Sequence, residues 1–175
     1  MAKVDVGDQA PSFELPGTGG RTYSLADYSG QGVILAFYPG DFTRVCTQQF
    51  CSYRDNATRL EGLGVDVLGI SPQSVKSHER WAEEQRLQIP LLADEDLTVA
   101  KSYGVVGWAS PLGKLVGLPA TSGGSYVQRS VFVVDGDGIV RYRHSSRTGA
   151  GFQSVDDLER AVGSLPEHRG PNPVR

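Results

Sequence analysis

Thiol is scarce in this sequence. Two cysteines, Cys46 and Cys51, stand among 175 residues, so no disulfide framework holds the fold. A chain of this length buries a core without such staples. One compact domain over residues 1–165, followed by a flexible tail over 166–175, is the expected organisation. Metal-ligand spacing is missing as well, because His78, His144 and His168 are dispersed relative to the cysteines. A metal site is therefore not expected, and no organic cofactor is expected either. Basic clusters are absent: 17 lysines and arginines face 20 acidic residues, and the arginines are scattered. That excludes an obvious nucleic-acid surface. No apolar run is long enough to cross a bilayer, and Met1-Ala2-Lys3-Val4-Asp5 lacks the apolar core of a signal peptide. A reducing cytoplasm is the expected setting, and a cysteine pair there points to redox chemistry or metal. Three other signatures are missing. There is no Cys-x-x-Cys, no third glycine after Gly62-Leu63-Gly64, and no Gly-x-Ser-x-Gly elbow.

What is present centres on one stretch. Val33-Ile34-Leu35-Ala36-Phe37 is the most apolar run, short and rich in β-branched and aromatic residues. It reads as a buried strand that breaks at Pro39-Gly40. A helix is expected from about Thr43 to Leu60, with Val45, Phe50, Tyr53, Ala57 and Leu60 at roughly helical spacing. The first helical turn then lies at the carboxyl end of the strand, where ligands bind in open α/β sheets.

Further elements follow in order. A hairpin is expected where Arg21–Leu25 turns back on the arm from Gly7 to Leu15 through Gly17–Gly20. Val65–Ile70 reads as a second buried strand, and Ser74 caps a helix to Leu87. Leu91-Leu92 makes a short strand, and Asp96 caps a helix that stops at Gly104. Strands over Ser130–Asp135 and Ile139–His144 flank the turn Gly136-Asp137-Gly138. Ser154 opens the last helix with Asp157 as its capping partner. Gly107 to Gln128 has no place in this scheme, and its Trp108 and Leu112 are candidates for an apolar rim near the cysteines. The order predicts an α/β sandwich.

The chemistry follows from where Cys46 falls. With Thr43 as N-cap, Cys46 takes the third helical position, where sulfur meets unpaired backbone N–H groups and the positive end of the helix dipole. The thiolate is the reactive form of cysteine, and a nearby cation favours it. Arg44 is the candidate within this stretch.

Pro39, Thr43 and Cys46 together match Pro-x-x-x-Thr-x-x-Cys, and the chain resembles the peroxiredoxins, a family of thiol peroxidases. Cys51, five positions on, resembles the bacterioferritin-comigratory or Q-type branch. Similarity continues through Ser71–His78, Pro90–Asp94, Tyr103–Val105 and Arg129–Asp135. Two positions depart from the family pattern. Arg44 stands where a proline is frequent, and Gln49 stands where a glutamate is common.

The resemblance implies a thioredoxin-like fold, a central mixed β-sheet with helices on both faces. It implies that Cys46 is the peroxidatic cysteine and Cys51 the resolving one. Pro39 would shield the thiolate, while Thr43 and Arg129 would hold the peroxide. Hydrogen peroxide and organic hydroperoxides are the implied substrates, and thioredoxin or a glutaredoxin-like protein the implied reductant. A monomer or weak homodimer is expected. The rival expectation is a redox-regulated binding module of the same fold that switches without turnover.

Spacing adds a constraint. Residues i and i+5 of an ideal helix are separated by about 7.5 Å of rise and about 140° of turn, so their Cα atoms lie roughly 8.7 Å apart. A disulfide spans at most about 7 Å between Cα atoms. A Cys46–Cys51 bond therefore requires the segment around Thr43–Tyr53 to unwind.

Overall fold

The computed structural model describes residues 3–108, 124–146 and 151–165. Nine strands and five α-helices occur among them. The strands are β1 (Glu14–Gly17), β2 (Arg21–Ser24), β3 (Val33–Phe37), β4 (Asp66–Ser71), β5 (Leu91–Ala93), β6 (Val106–Trp108), β7 (Ser125–Val127), β8 (Ser130–Val134) and β9 (Val140–Ser145). The helices are α1 (Arg44–Asp55), α2 (Ala57–Glu61), α3 (Val75–Gln85), α4 (Thr98–Ser102) and α5 (Val155–Gly163). The main sheet runs β2-β1-β5-β4-β3-β8-β9, with β3, β4 and β5 parallel and β8 antiparallel to β3.

Strand β3 lies at the heart of the sheet because every one of its side chains is apolar and buried. The strand period of two divides them between two cores. Val33, Leu35 and Phe37 join Leu68, Ile70, Val99 and Tyr103 on one face. Ile34 and Ala36, with Tyr38 just beyond the strand, join Cys46, Phe50, Tyr53, Trp81 and Leu158 on the other. Helices α1, α3 and α5 thus cover the second face and α4 covers the first. The mixed sheet with helices on both faces agrees with the expected fold class.

Close packing of α1 depends on one glycine. A Cβ placed on Gly69 of β4 would come within 2.8 Å of the Phe50 ring and 2.7 Å of Leu91. The bare backbone at Gly69 is what lets Phe50 seat against the sheet, where its ring meets Tyr38 at 4.8 Å and Trp81 at 5.4 Å between centroids.

Some expectations are corrected. The helix expected to Leu60 stops at Asp55, and a separate α2 follows. Asn56, at φ −114° and ψ 25°, breaks it while its side-chain amide donates to the Ser52 carbonyl at 2.9 Å. Asp96 does accept the Thr98 N–H at 2.9 Å, but Leu97 occupies the cap position of α4. Asp94 takes the next two amides, Val99 and Ala100, at 3.1 and 2.7 Å. The stretch without a place in the scheme is anchored at both ends, since β6 pairs antiparallel with β7 from Val106↔Val127 to Trp108↔Ser125. The apolar rim proposed for the Trp108 and Leu112 side chains lies outside the described residues, as does the 166–175 tail. Ser154 and Asp157 form the expected capping box of α5.

Candidate functional site

Three elements meet at the carboxyl end of β3. The chain leaves Phe37 through buried Tyr38, Pro39 and Gly40, turns at Asp41-Phe42, and enters α1 at Thr43. Thr43 holds the N-cap position at φ −78° and ψ 144°, yet its hydroxyl makes no capping bond. It donates instead to the Gly40 carbonyl at 3.3 Å. Cys46 therefore sits on the first turn of α1, where backbone N–H groups lack intrahelical partners. Its side chain is fully buried.

The antiparallel register of β3 with β8 places the second component. Phe37 lies opposite Ser130, so Arg129, one residue before β8, stands beside the start of the loop to α1. Its backbone is pinned on either side, with Gln128 N–H donating to the Val105 carbonyl and Ser146 N–H donating to the Arg129 carbonyl, both at 2.8 Å. Arg129 is 3% exposed, and its Nη2 donates to Cys46 Sγ at 3.2 Å. A guanidinium N–H aimed at sulfur stabilises negative charge there. Arg44, the cation favoured by sequence proximity, faces outward and is exposed. Tertiary pairing outranks it.

Arg129 is itself oriented by α1. Its Nη1 donates to Gln49 Oε1 at 2.5 Å, Gln49 Nε2 donates to the Tyr53 hydroxyl at 3.1 Å, and that hydroxyl donates to the Gln153 carbonyl at 3.0 Å. Each donor meets an acceptor, so the relay fixes the Gln49 amide in one orientation. Burial pushes the Tyr53 phenol up to about 12, against the opposing effects of the Gln49 hydrogen bond and the Arg129 charge. The phenol thus stays a donor at neutral pH. Gln49, a departure from the family pattern, serves the same geometric end as a carboxylate by accepting from the guanidinium. Gln49 and Tyr53 lie three and seven positions after Cys46, on one helix face, a spacing that carried the signal.

Cys51 has different company. It is partly exposed, and its Sγ donates to Gln85 Oε1 of α3 at 3.6 Å. Arg54 Nη1 donates to the Gln85 carbonyl at 2.5 Å beside it. Both thiols are free, and both lie within the unbroken helix α1. The structure brings Arg129 to Cys46, sets Pro39 and Thr43 on the loop that leads into α1, and leaves Cys51 apart. No cluster of three or more potential metal ligands occurs among the described residues.

A central strand, a break at proline, and a cysteine on the first turn of the next helix, within a mixed sheet with helices on both faces, define a thioredoxin-fold redox protein. Residues 6–143 match the AhpC/TSA family. The chain is 40% identical over 142 residues to peroxiredoxin Bcp of Escherichia coli, covering 81% of this chain and 86% of that protein. It is 42% identical over 138 residues to a putative peroxiredoxin of Mycobacterium tuberculosis, covering 79% and 83%. The crystal structure of the peroxidoxin BcpB from Mycobacterium tuberculosis superposes with a TM-score of 0.73 at 31% identity, over 91% of this chain and 95% of that one. The chain belongs to the AhpC/TSA family, and it is a peroxidase of the peroxiredoxin type. This disfavours a switch without turnover.

Proposed function

We propose that Cys46 reduces hydrogen peroxide and organic hydroperoxides and that Cys51 resolves the product. The reading rests on one observation, the Arg129 guanidinium 3.2 Å from a buried sulfur on the first turn of α1. The Cys46 thiolate attacks one peroxide oxygen, the O–O bond breaks, and the electron pair leaves with the other oxygen as alkoxide or hydroxide, which takes up a proton. Cys46 becomes a sulfenic acid. Arg129 and the Thr43 hydroxyl hold the peroxide and stabilise charge on the leaving oxygen, as preorganised donors do elsewhere. Pro39 closes the apolar side of the pocket and keeps water off the sulfur.

The sulfenic acid then condenses with the Cys51 thiol, forming the disulfide and releasing water. An intact α1 keeps the two Cα atoms roughly 8.7 Å apart, beyond disulfide reach. The segment around Thr43–Tyr53 unwinds to close that distance. A dithiol protein, thioredoxin or a glutaredoxin-like one, restores both thiols by exchange. The protein works as a monomer or weak homodimer in a reducing cytoplasm.

Peroxide consumption with a thioredoxin system tests these roles. Cys46→Ser is expected to abolish it, while Cys51→Ser oxidises once at Cys46 and then stalls. Turnover that survives Cys46→Ser, or an oxidised protein whose far-ultraviolet circular dichroism shows no helix loss, would overturn the reading.

A further inference from the structure

A second buried polar cluster lies at the start of the same loop. Asp41 and His78 have fully buried side chains, and His78 Nδ1 stands 3.0 and 2.9 Å from the two Asp41 oxygens. The Tyr38 hydroxyl donates to Asp41 Oδ1 at 2.8 Å, and Ser77 Oγ donates to Oδ2 at 2.6 Å. His78 Nε2 faces the Leu92 carbonyl at 3.1 Å. Both ring nitrogens thus have oxygen neighbours, and the Tyr38 hydroxyl also lies 3.3 Å from Nδ1. Burial, and next the Asp41 charge, push the Tyr38 phenol well up, so it too remains a donor.

The cluster ties the loop to α3 through Ser77 and His78, and to β5 through Leu92. It does so two residues before Thr43. Between Asp41 and Thr43, Phe42 has φ +60°, the left-handed region that side chains disfavour. Such a conformation persists where its surroundings over-determine it. Here the surroundings on the inner side are the Asp41 clamp. On the outer side the Arg80 guanidinium lies 5.1 Å over the Phe42 ring.

We propose that Asp41 and His78 are positioning residues for the attacking cysteine. Their pair fixes the loop in the turn that places Thr43 and the first turn of α1, so that Cys46, Thr43 and Arg129 converge on the peroxide. The pair acts through the backbone of Asp41-Phe42-Thr43. The proposal rests on the assignment of Cys46 made above.

The test uses the full chain carrying Cys51→Ser, so that Cys46 is the sole thiol. Two rates are followed by mass spectrometry: oxygen addition from hydrogen peroxide, and alkylation by iodoacetamide, which needs an accessible thiolate but not the alignment of a peroxide by Thr43 and Arg129. Asp41→Asn, which keeps shape and removes charge, and His78→Gln are each expected to slow oxidation by about 10- to 100-fold, the scale of a small misplacement of reacting groups. Alkylation should fall less than threefold or rise. The double variant should be no slower than the worse single, as for residues acting as a unit. Oxidation and alkylation slowing by the same factor, or neither slowing, overturns the proposal. Thermal melts show whether each variant is folded, and the milder Asp41→Asn keeps the test decisive if His78→Gln does not fold. Peroxide oxidation of the protein at an undiminished rate after Cys46→Ser would instead overturn the thiol assignment, and this proposal with it.

Discussion

The two ends of α1 hold the same chemical group in opposite surroundings. Cys46 is buried on the first turn, with Arg129 on its sulfur and a relay through Gln49 and Tyr53 behind that arginine. Cys51 lies nearly a turn and a half further on, partly exposed, with an amide oxygen of Gln85 at 3.6 Å and the Arg54 side chain beside it. One thiol is held rigidly among donors; the other is lightly held at an edge. A buried, preorganised nucleophile favours attack on a small substrate that must be aligned. A loosely held thiol suits a step that requires the chain to move. The same helix therefore has one end built for precision and one for release.

Removing the cation from the rigid end should have the largest effect. Arg129→Met is expected to slow Cys46 oxidation by about 10²–10³-fold, the cost of one preorganised donor. Alkylation of Cys51 in the same protein should be unchanged. Equal effects on both thiols, measured by mass spectrometry, would erase the distinction between the two ends.

Next comes the seat of the helix itself. Gly69→Ala sets a methyl 2.8 Å from the Phe50 ring. That ring is fully enclosed and in contact with Tyr38, Tyr53 and Trp81, so it has little room to shift. A loss of about 1–3 kcal/mol in denaturant unfolding is expected from overpacking. Because α1 is lifted off the sheet, disulfide formation should become easier in the folded fraction. Unfolding free energy within error of wild type would show that α1 already yields there.

Around Cys51 the effects are smaller. Gln85→Ala removes the Cys51 acceptor and should cost no more than about 0.5–1.5 kcal/mol, the worth of an ordinary hydrogen bond. Stopped-flow oxidation of Cys46 should change less than twofold, whereas a tenfold slowing would mean that the two ends are coupled.

The smallest effect lies at the far end of the relay, where Gln153 precedes the α5 capping box. Asp157 accepts from Ser154 Oγ and N–H, and these bonds, with Arg160, hold its carboxyl below the usual carboxylate range. A folded pKa below the unfolded value gives stability that is full above the unfolded value and lost as pH falls through the folded one. Asp157→Asn should therefore cost about 0.3–1 kcal/mol at pH 7 and low salt. The difference should begin to shrink below about pH 4 and vanish at lower pH. Melts across that range give the check, and a difference that grows with acid would contradict it.

Much of this was legible in the chain itself. The Val33–Phe37 run, its break at Pro39-Gly40 and the capping residues Ser74 and Ser154 are local signals, and the elements they mark appear where expected. The cysteine on the first helical turn follows from counting forward from Thr43. Other features were hidden because they depend on partners distant in sequence. The pairing of β6 with β7 joins strands separated by a long stretch, so neither strand announces itself locally. The helix end at Asn56 was masked because Ala57 and Leu60 carry the apolar spacing onward into α2. Chain proximity alone pointed to Arg44 rather than Arg129. Asp41 and His78, 37 residues apart, showed no sign of meeting.

The sequence by itself determined the elements, the two-faced apolar strand and the position of each thiol on its helix, because periodicity, propensity and capping act over a few residues. Tertiary structure alone decided which groups those thiols face. The register of β3 with β8 brings Arg129 to Cys46, and the docking of α3 brings His78 to Asp41 and Gln85 to Cys51. The reason is physical. A hydrogen bond to sulfur or a buried ion pair is set by distances of about 3 Å, and only the closed sheet and its packed helices fix distances that small between residues so far apart along the chain.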